Sequence, residues 1–382
     1  METRKKKKWL LMILVFVVLG VLGGAYYYQK QSVKIKPMKT FRWLGAFWFN
    51  EQGMFKFEET HLKFYNPKTG NKVIACSRAG CEHTTKDCPA TYMSLGITYT
   101  DEGMIFFGEP KNMEFDEKGL YIINVEGKHL KQLHLFKGVS EISDVFYEGS
   151  KVYISYRNSI DKEGNDLDQP EVGIIEYDID TNKERKLFQE KKGNPQIMTM
   201  NRNKSGLFFV YLYSTMSAEE ALEHAEDNEY AKKHQHIELR YIGLNGKKAS
   251  CVCDNMYSFN CIPVLNQKAV VCKEDGVYLC TEGGKTEKIL SGKWESIPFY
   301  RNGKEGLLLR THEKRSKDEK VEYAYYKTEK SSKKTLYSKH VCLSVVGENA
   351  WFMDEEGMMY YGSASEFVNG KEIEEKNFKE KR

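Results

Sequence analysis

Two hydrophobic patterns divide the chain. Residues 9–28, WLLMILVFVVLGVLGGAYYY, run for twenty positions without a charge, the length a helix needs to cross ~30 Å of hydrocarbon. From residue 40 onward the pattern changes. Short stretches rich in Val, Ile, Tyr and Phe alternate with Gly, Asn and Asp turns, and helical periodicity is rare. That alternation predicts an all-β body. The exception follows Ser217, where Ser217 and Glu220 form a capping box ahead of a helix.

The β pattern has a period. An aromatic-rich strand, a polar turn and a strand starting with Lys recur around Tyr65, Tyr121, Tyr177, Tyr241, Tyr278 and Tyr325, with an incomplete copy near Tyr360. Spacings of about 35 to 64 residues suit propeller blades with insertions. Turns ending at Gly53, Gly103, Gly149, Gly206 and Gly303 punctuate the copies and join antiparallel strands. The expectation is a seven-bladed β-propeller, with six or eight blades or a pair of β-sandwiches as alternatives. The last copy lacks a fourth strand. Residues 40–44, TFRWL, are expected to supply it and close the ring. The capped helix falls between the second and third strands of blade four.

Charge sets the orientation. The formal net charge is +4, and five positive charges sit together in residues 4–8. The rest of the body is nearly neutral, which argues against nucleic acid as a partner. Clustered Lys and Arg stay cytoplasmic, so residues 1–8 are expected inside, residues 9–28 across the membrane, and the body outside. Trp9 and Tyr26, Tyr27 and Tyr28 fit the interfacial aromatic belts. A cleaved signal peptide is the alternative, given Gly23, Gly24 and Ala25. Residues 29–39 read as a linker, 40–365 as the propeller and 366–382 as a charged, solvated tail.

The densest motif is CSRAGCEHTTKDC, carrying Cys76, Cys81, His83 and Cys88. Three thiols and an imidazole suit tetrahedral Zn²⁺. A disulfide is the usual fate of extracytoplasmic cysteines, though three leave one over; unpaired thiols are the third reading. Cys251 and Cys253 are expected on one strand face, and Cys261, Cys272, Cys280 and Cys342 as small apolar core residues.

The run FYNPKTGNKVIACSRAGCEHTTKDCPA resembles a segment of extracytoplasmic propeller proteins of Gram-positive gut bacteria, a family of unknown function. Those proteins carry a Tyr-Asp-x-x-Thr-Gly turn, a strand ending in Leu-Cys, then Cys, a Lys-His pair and Cys-Asn-Ala. Here Ala75, Glu82 and Pro89 depart from that pattern. The resemblance covers about thirty residues closely. It implies a propeller behind a signal or anchor, and no activity.

Weaker candidates remain. His234 and His236 are expected on one strand face, with His224 on the nearby helix, as a minor metal set. Residues 161–168, DKEGNDLD, are acidic but depart from the calcium-loop pattern. Asn203 heads a glycosylation-type triplet. No phosphate loop, nucleophile elbow or zinc-protease helix is present in the sequence. The leading functional expectation is therefore a membrane-anchored binding or scaffolding propeller that presents loops to a protein, peptide or cell-wall glycan. The alternatives are a hydrolase or lyase with its site in the propeller channel, and an accessory subunit of a membrane transporter complex.

Overall fold

The computed structural model describes residue 35 and residues 37–380, apart from 44–46, 77–79, 85–87, 92–94, 109–114, 125–128, 192–193, 218–219, 221–222, 225, 247, 258–260, 312–319 and 328–331. The expected membrane helix, with Trp9, Tyr26, Tyr27 and Tyr28, lies outside these. Among the described residues no helix is long and apolar enough to cross a membrane.

The body is an all-β, seven-bladed propeller. Blade two shows the pattern, with antiparallel strands Leu95–Tyr99, Gly103–Gly108, Glu117–Asn124 and Leu130–Lys137 in chain order. The first strands of the blades form the inner ring: Phe47–Asn50, Leu95–Tyr99, Glu141–Glu148, Gln196–Arg202, Val264–Leu265, Trp294–Ile297 and Val341–Val346. Each recurring tyrosine, from Tyr65 to Tyr360, lies on the third strand of its own blade. The sequence period is thus the blade period.

Turn chemistry explains the punctuation. In blades one and four, Asn50 Oδ1 accepts from the amides of Gln52 and Gly53 (2.9 and 3.1 Å), and Asn203 Oδ1 from those of Ser205 and Gly206 (3.0 and 2.8 Å). In blade two Thr100 Oγ1 accepts from Glu102 and Gly103, both at 3.1 Å. These side chains hold the corner between first and second strands. At Gly103, φ is +152° and a Cβ would sit 1.9 Å from the Ile123 carbonyl oxygen, so only glycine fits. Asn203 is buried, and its amide serves the turn rather than a glycan. Gly303 differs from the others. It sits at the tip of a hairpin, Phe299–Arg301 with Lys304–Glu305, that leaves blade six and pairs in parallel with the first strand of blade seven.

Ring closure departs from expectation. Phe41–Trp43 does not complete blade seven. It pairs antiparallel with Phe47–Asn50 at the inner edge of blade one. The missing fourth strand of blade seven is Lys376–Asn377, and Lys379–Glu380 then adds in parallel to the outer strand of blade one. The charged tail is therefore the clasp. Between the two strands Phe378 is buried, stacked on Trp351 at 5.7 Å and set edge-on to Tyr65 at 5.1 Å. One aromatic in a polar run is enough to dock it. A short helix, Ala364–Val368, leads into the tail, capped by Ser363 and packed through Phe367 on Tyr323 and Phe352.

Apolar residues form layers between blades rather than one central core. Trp48, Phe55, Phe64, Ile97, Phe106 and Ile123, for example, join blades one and two.

Candidate functional site

The strand reversals sort the loops by face. Turns after first and third strands share one face; connections after second and fourth strands share the other. The Cys76 to Cys88 loop links the fourth strand of blade one to the first of blade two, so it lies on the latter face. So do the three insertions after second strands. Phe115 and Asp116 belong to blade two's. Strands Lys151–Ile160 and Asp166–Asp178 extend blade three's hairpin. In blade four, Ser217 and Glu220 cap each other reciprocally (2.8 and 3.1 Å) before the helix Asn228–His234. Phe115, 62% exposed, lies against Gly164 at the tip of the blade-three hairpin. The Asp161 carboxylate in that tip accepts from the Glu163 and Asn165 amides and the Asn165 side chain, a turn rather than a calcium loop.

The cysteine–histidine motif converges. One ligand atom each from Cys76, Cys81, His83 and Cys88 lies within 4.8 Å of every other, and His83 Nδ1 is 3.3 Å from Cys88 Sγ. No other group of three or more His, Cys, Asp or Glu side chains among the described residues has this geometry. Among the described residues no disulfide joins two cysteines. The local fold explains the approach. Cys88 and Ala90 are buried in the layer between blades one and two, with Cys76 and Cys81 at its edge. Gly80 and His83 take left-handed backbone angles, φ +70° and +57°, that curl the loop back. His61 Nε2 lies 2.7 Å from the His83 carbonyl oxygen and must donate to it, so its Nδ1 accepts from the Thr60 hydroxyl at 3.0 Å. Burial pushes the Cys88 thiol up to about 12, and the neighbouring Cys76 and Cys81 sulfurs add to the rise. Burial, and then His61, hold the His83 imidazole below its usual value and so favour its neutral form. Sequence reasoning picked out the four side chains; it missed His61, which carries no motif.

The chain's own residues enter the central channel. Residues 37–43 run up it from the face bearing the turns after first strands. The Met38 amide donates to the Tyr99 carbonyl at 2.8 Å, and Thr98 Oγ1 donates to the Met38 carbonyl at 2.8 Å. Lys39 then pairs with Glu305 of the inner hairpin. The other Glu305 oxygen accepts from Asn201 Nδ2 at 3.0 Å and the Val264 amide at 3.1 Å. The cavity left between Thr40, Asp144, Asn201, Cys261, Pro298 and Glu305 is about 40 Å³, room for a few water molecules. Asp144 itself is engaged, accepting from the Met200 amide at 2.9 Å. These channel residues lie in no recognisable motif.

The second histidine set does not converge. His224 and His234 pack against Tyr230, at 3.8 and 4.5 Å, while His236 stacks on Tyr213 at 4.9 Å. His234 ends the helix instead of joining the strand, which removes the expected shared face. Cys251 and Cys253 also part company. A bulge between the partners of Leu239 and Arg240 leaves Cys251 exposed and buries Val252 and Cys253. Cys272, Cys280 and Cys342 are buried as expected, while Cys261 borders the channel and its thiol donates to the Ser296 carbonyl at 3.3 Å.

No family model matches the chain, and no curated protein does. Solved structures match in fold. A structure of a prolyl endopeptidase aligns at TM-score 0.50 and 11% identity, over 90% of this chain and 50% of that one. An oligogalacturonate lyase from Vibrio parahaemolyticus aligns at 0.49 and 11%, over 72% and 74%. An oligogalacturonate lyase in complex with manganese aligns at 0.48 and 13%, over 70% and 72%. At 11% identity the likeness to the endopeptidase structure shows the fold alone.

Proposed function

We propose that the protein is a membrane-tethered, extracytoplasmic binding or scaffolding propeller, and that its working surface is the face carrying the inserted loops. The observation that carries this reading is the occupied channel. A hydrolase or lyase working there needs room for a substrate, and the cavity that the chain's own residues 40 and 41 and the inner hairpin help to line there is about 40 Å³. The opposite arrangement holds at the loop face. There the cysteine loop, the exposed Phe115 and the helical insertion stand together on a rigid ring, where binding residues usually reside. Met358, 46% exposed, follows the second strand of blade seven on the same face.

The topology supports a tether. The chain arrives at the face opposite the loops, directly behind residues 1–28 with their basic cluster and apolar run. The loops then point away from the membrane, toward a protein, peptide or wall-glycan ligand.

Two measurements test it. Protease added to intact protoplasts should digest the body; full protection would overturn the orientation. A photo-crosslinking residue at Phe115 should capture a ligand in native membranes, whereas one at Leu130, on the opposite face, should not. Capture from Leu130 alone would refute the choice of face.

A further inference from the structure

We infer that Cys76, Cys81, His83 and Cys88 form a coordinatively complete site for one Zn²⁺, and that this ion folds the loop between blades one and two. Zinc takes thiolate sulfur at about 2.3 Å and imidazole nitrogen at about 2.0–2.1 Å, so a tetrahedral site has ligand–ligand edges of about 3.5–3.8 Å. The four donors already lie within 4.8 Å of one another, with one edge at 3.3 Å, so small side-chain rotations complete the tetrahedron.

The donor set selects the metal. Three sulfurs and one nitrogen are soft ligands, and no carboxylate belongs to the cluster. Mg²⁺, Ca²⁺ and Mn²⁺, which prefer oxygen, are disfavoured. All four positions are taken by protein side chains, which leaves none for water or substrate. That is the pattern of a structural zinc site rather than a catalytic one.

The surroundings agree. Cys88 is fixed in the apolar layer, so one end of the site is rigid before the metal arrives. His83 holds an uncommon left-handed conformation that aims its ring at Cys88, and His61 anchors the His83 carbonyl from blade one. A residue kept in that region needs something to over-determine it. A metal bond does so. On binding, the three thiols release their protons to solvent, and the ion offsets two of the three resulting negative charges.

This inference shares with the proposed binding role only the face on which the loop sits; metal content and ligand capture are separate readouts. The test uses the full chain, purified in detergent under reducing conditions without chelator. Elemental analysis should find about one zinc per chain, and Co²⁺ exchange should give the visible absorption of a tetrahedral thiolate site. His83→Cys should retain the metal, because it keeps four soft ligands, while His83→Ala should lower retained zinc at least about tenfold. Trypsin should cut after Arg78 or Lys86 faster once a chelator has stripped the ion. Folded protein that carries no zinc and yields no cobalt spectrum would overturn the inference. So would a disulfide between two of the three cysteines in protein isolated from membranes without reductant, or equal zinc retention by His83→Ala.

Discussion

Lys39 and Glu305, 266 positions apart, pair at the centre of the propeller. The ammonium also lies 5.0 Å from the ring centroid of Tyr300, 5.4 Å from Phe41 and 5.6 Å from Phe146. One cation thus ties the axial strand to blade three, to the inner hairpin and, through the shared carboxylate, to blades four and five. Removing either partner strands the other in a mostly dry site. Lys39→Ala is expected to cost about 1–2 kcal/mol, and Glu305→Ala about 2–4 kcal/mol, because it also orphans Asn201 and the Val264 amide. Urea unfolding of the two variants and the double variant gives the coupling, expected at about 1 kcal/mol or more. Additive losses would show that the pair acts independently.

The tail should behave as part of the ring. Phe378→Ala opens a hole between Trp351, Tyr361 and Tyr65 and is expected to cost about 2–4 kcal/mol. Deleting residues 376–382 removes both closing strands. Hydrogen exchange should then rise in Asn71–Ile74, the strand that Lys379–Glu380 covers. Unchanged exchange there would contradict the clasp.

Two glycines give a graded comparison. Gly149 has φ +59° and open space where a Cβ would stand, with no atom within 4 Å, so Gly149→Ala carries only the left-handed penalty, about 1 kcal/mol. Gly103→Ala adds a collision with the Ile123 carbonyl and is expected to cost about 2–4 kcal/mol. Equal thermal shifts would refute the steric account.

Acid sensitivity has a local source at Glu58. Burial alone raises its carboxyl, but the Tyr65 hydroxyl and the Lys56 ammonium outweigh burial and hold it below its ordinary value of 4.5. Lys63 and Lys72 stand 3.6 and 3.7 Å away. The folded state therefore binds its proton more weakly than the unfolded chain. The stabilisation is complete above the unfolded value and is lost as pH falls through the lowered one. Glu58→Gln should lower the urea midpoint at pH 7, by about 1 kcal/mol in stability, and the gap to the unmutated protein should close as pH drops below about 4.5. A gap that persists in acid would assign the effect to packing.

What could be read from the sequence follows from what repeats. The tyrosines from Tyr65 to Tyr360 stand out because every third strand meets the same neighbours, and the corners around Asn50, Thr100 and Asn203 recur because the same turn is built three times. The cysteine loop was visible because all four donors come from one short segment. Features made once left no such trace. Residues 40–44 look like any β-strand, and only pairing partners decide between the axis and the rim. The clasp rests on two-residue strands and a single phenylalanine in a charged run, too little for periodicity to register. At Cys251 a one-residue bulge inverted the alternation, and at His234 the helix ran on past the point where a strand was expected.

The axial strand also determines how the molecule answers to mechanical load. Phe41–Trp43 lies antiparallel to Phe47–Asn50, with its hydrogen bonds perpendicular to its own length. A pull applied along the axis of that strand runs along that length. It therefore strains the ladder, the Met38–Tyr99 bond and the Lys39–Glu305 pair together, in shear, instead of peeling them one at a time. The load is delivered near the centre of the ring and divides among the blades that grip the strand. A propeller pulled by its rim would have one sheet stripped first; one pulled through this strand would be loaded at its hub.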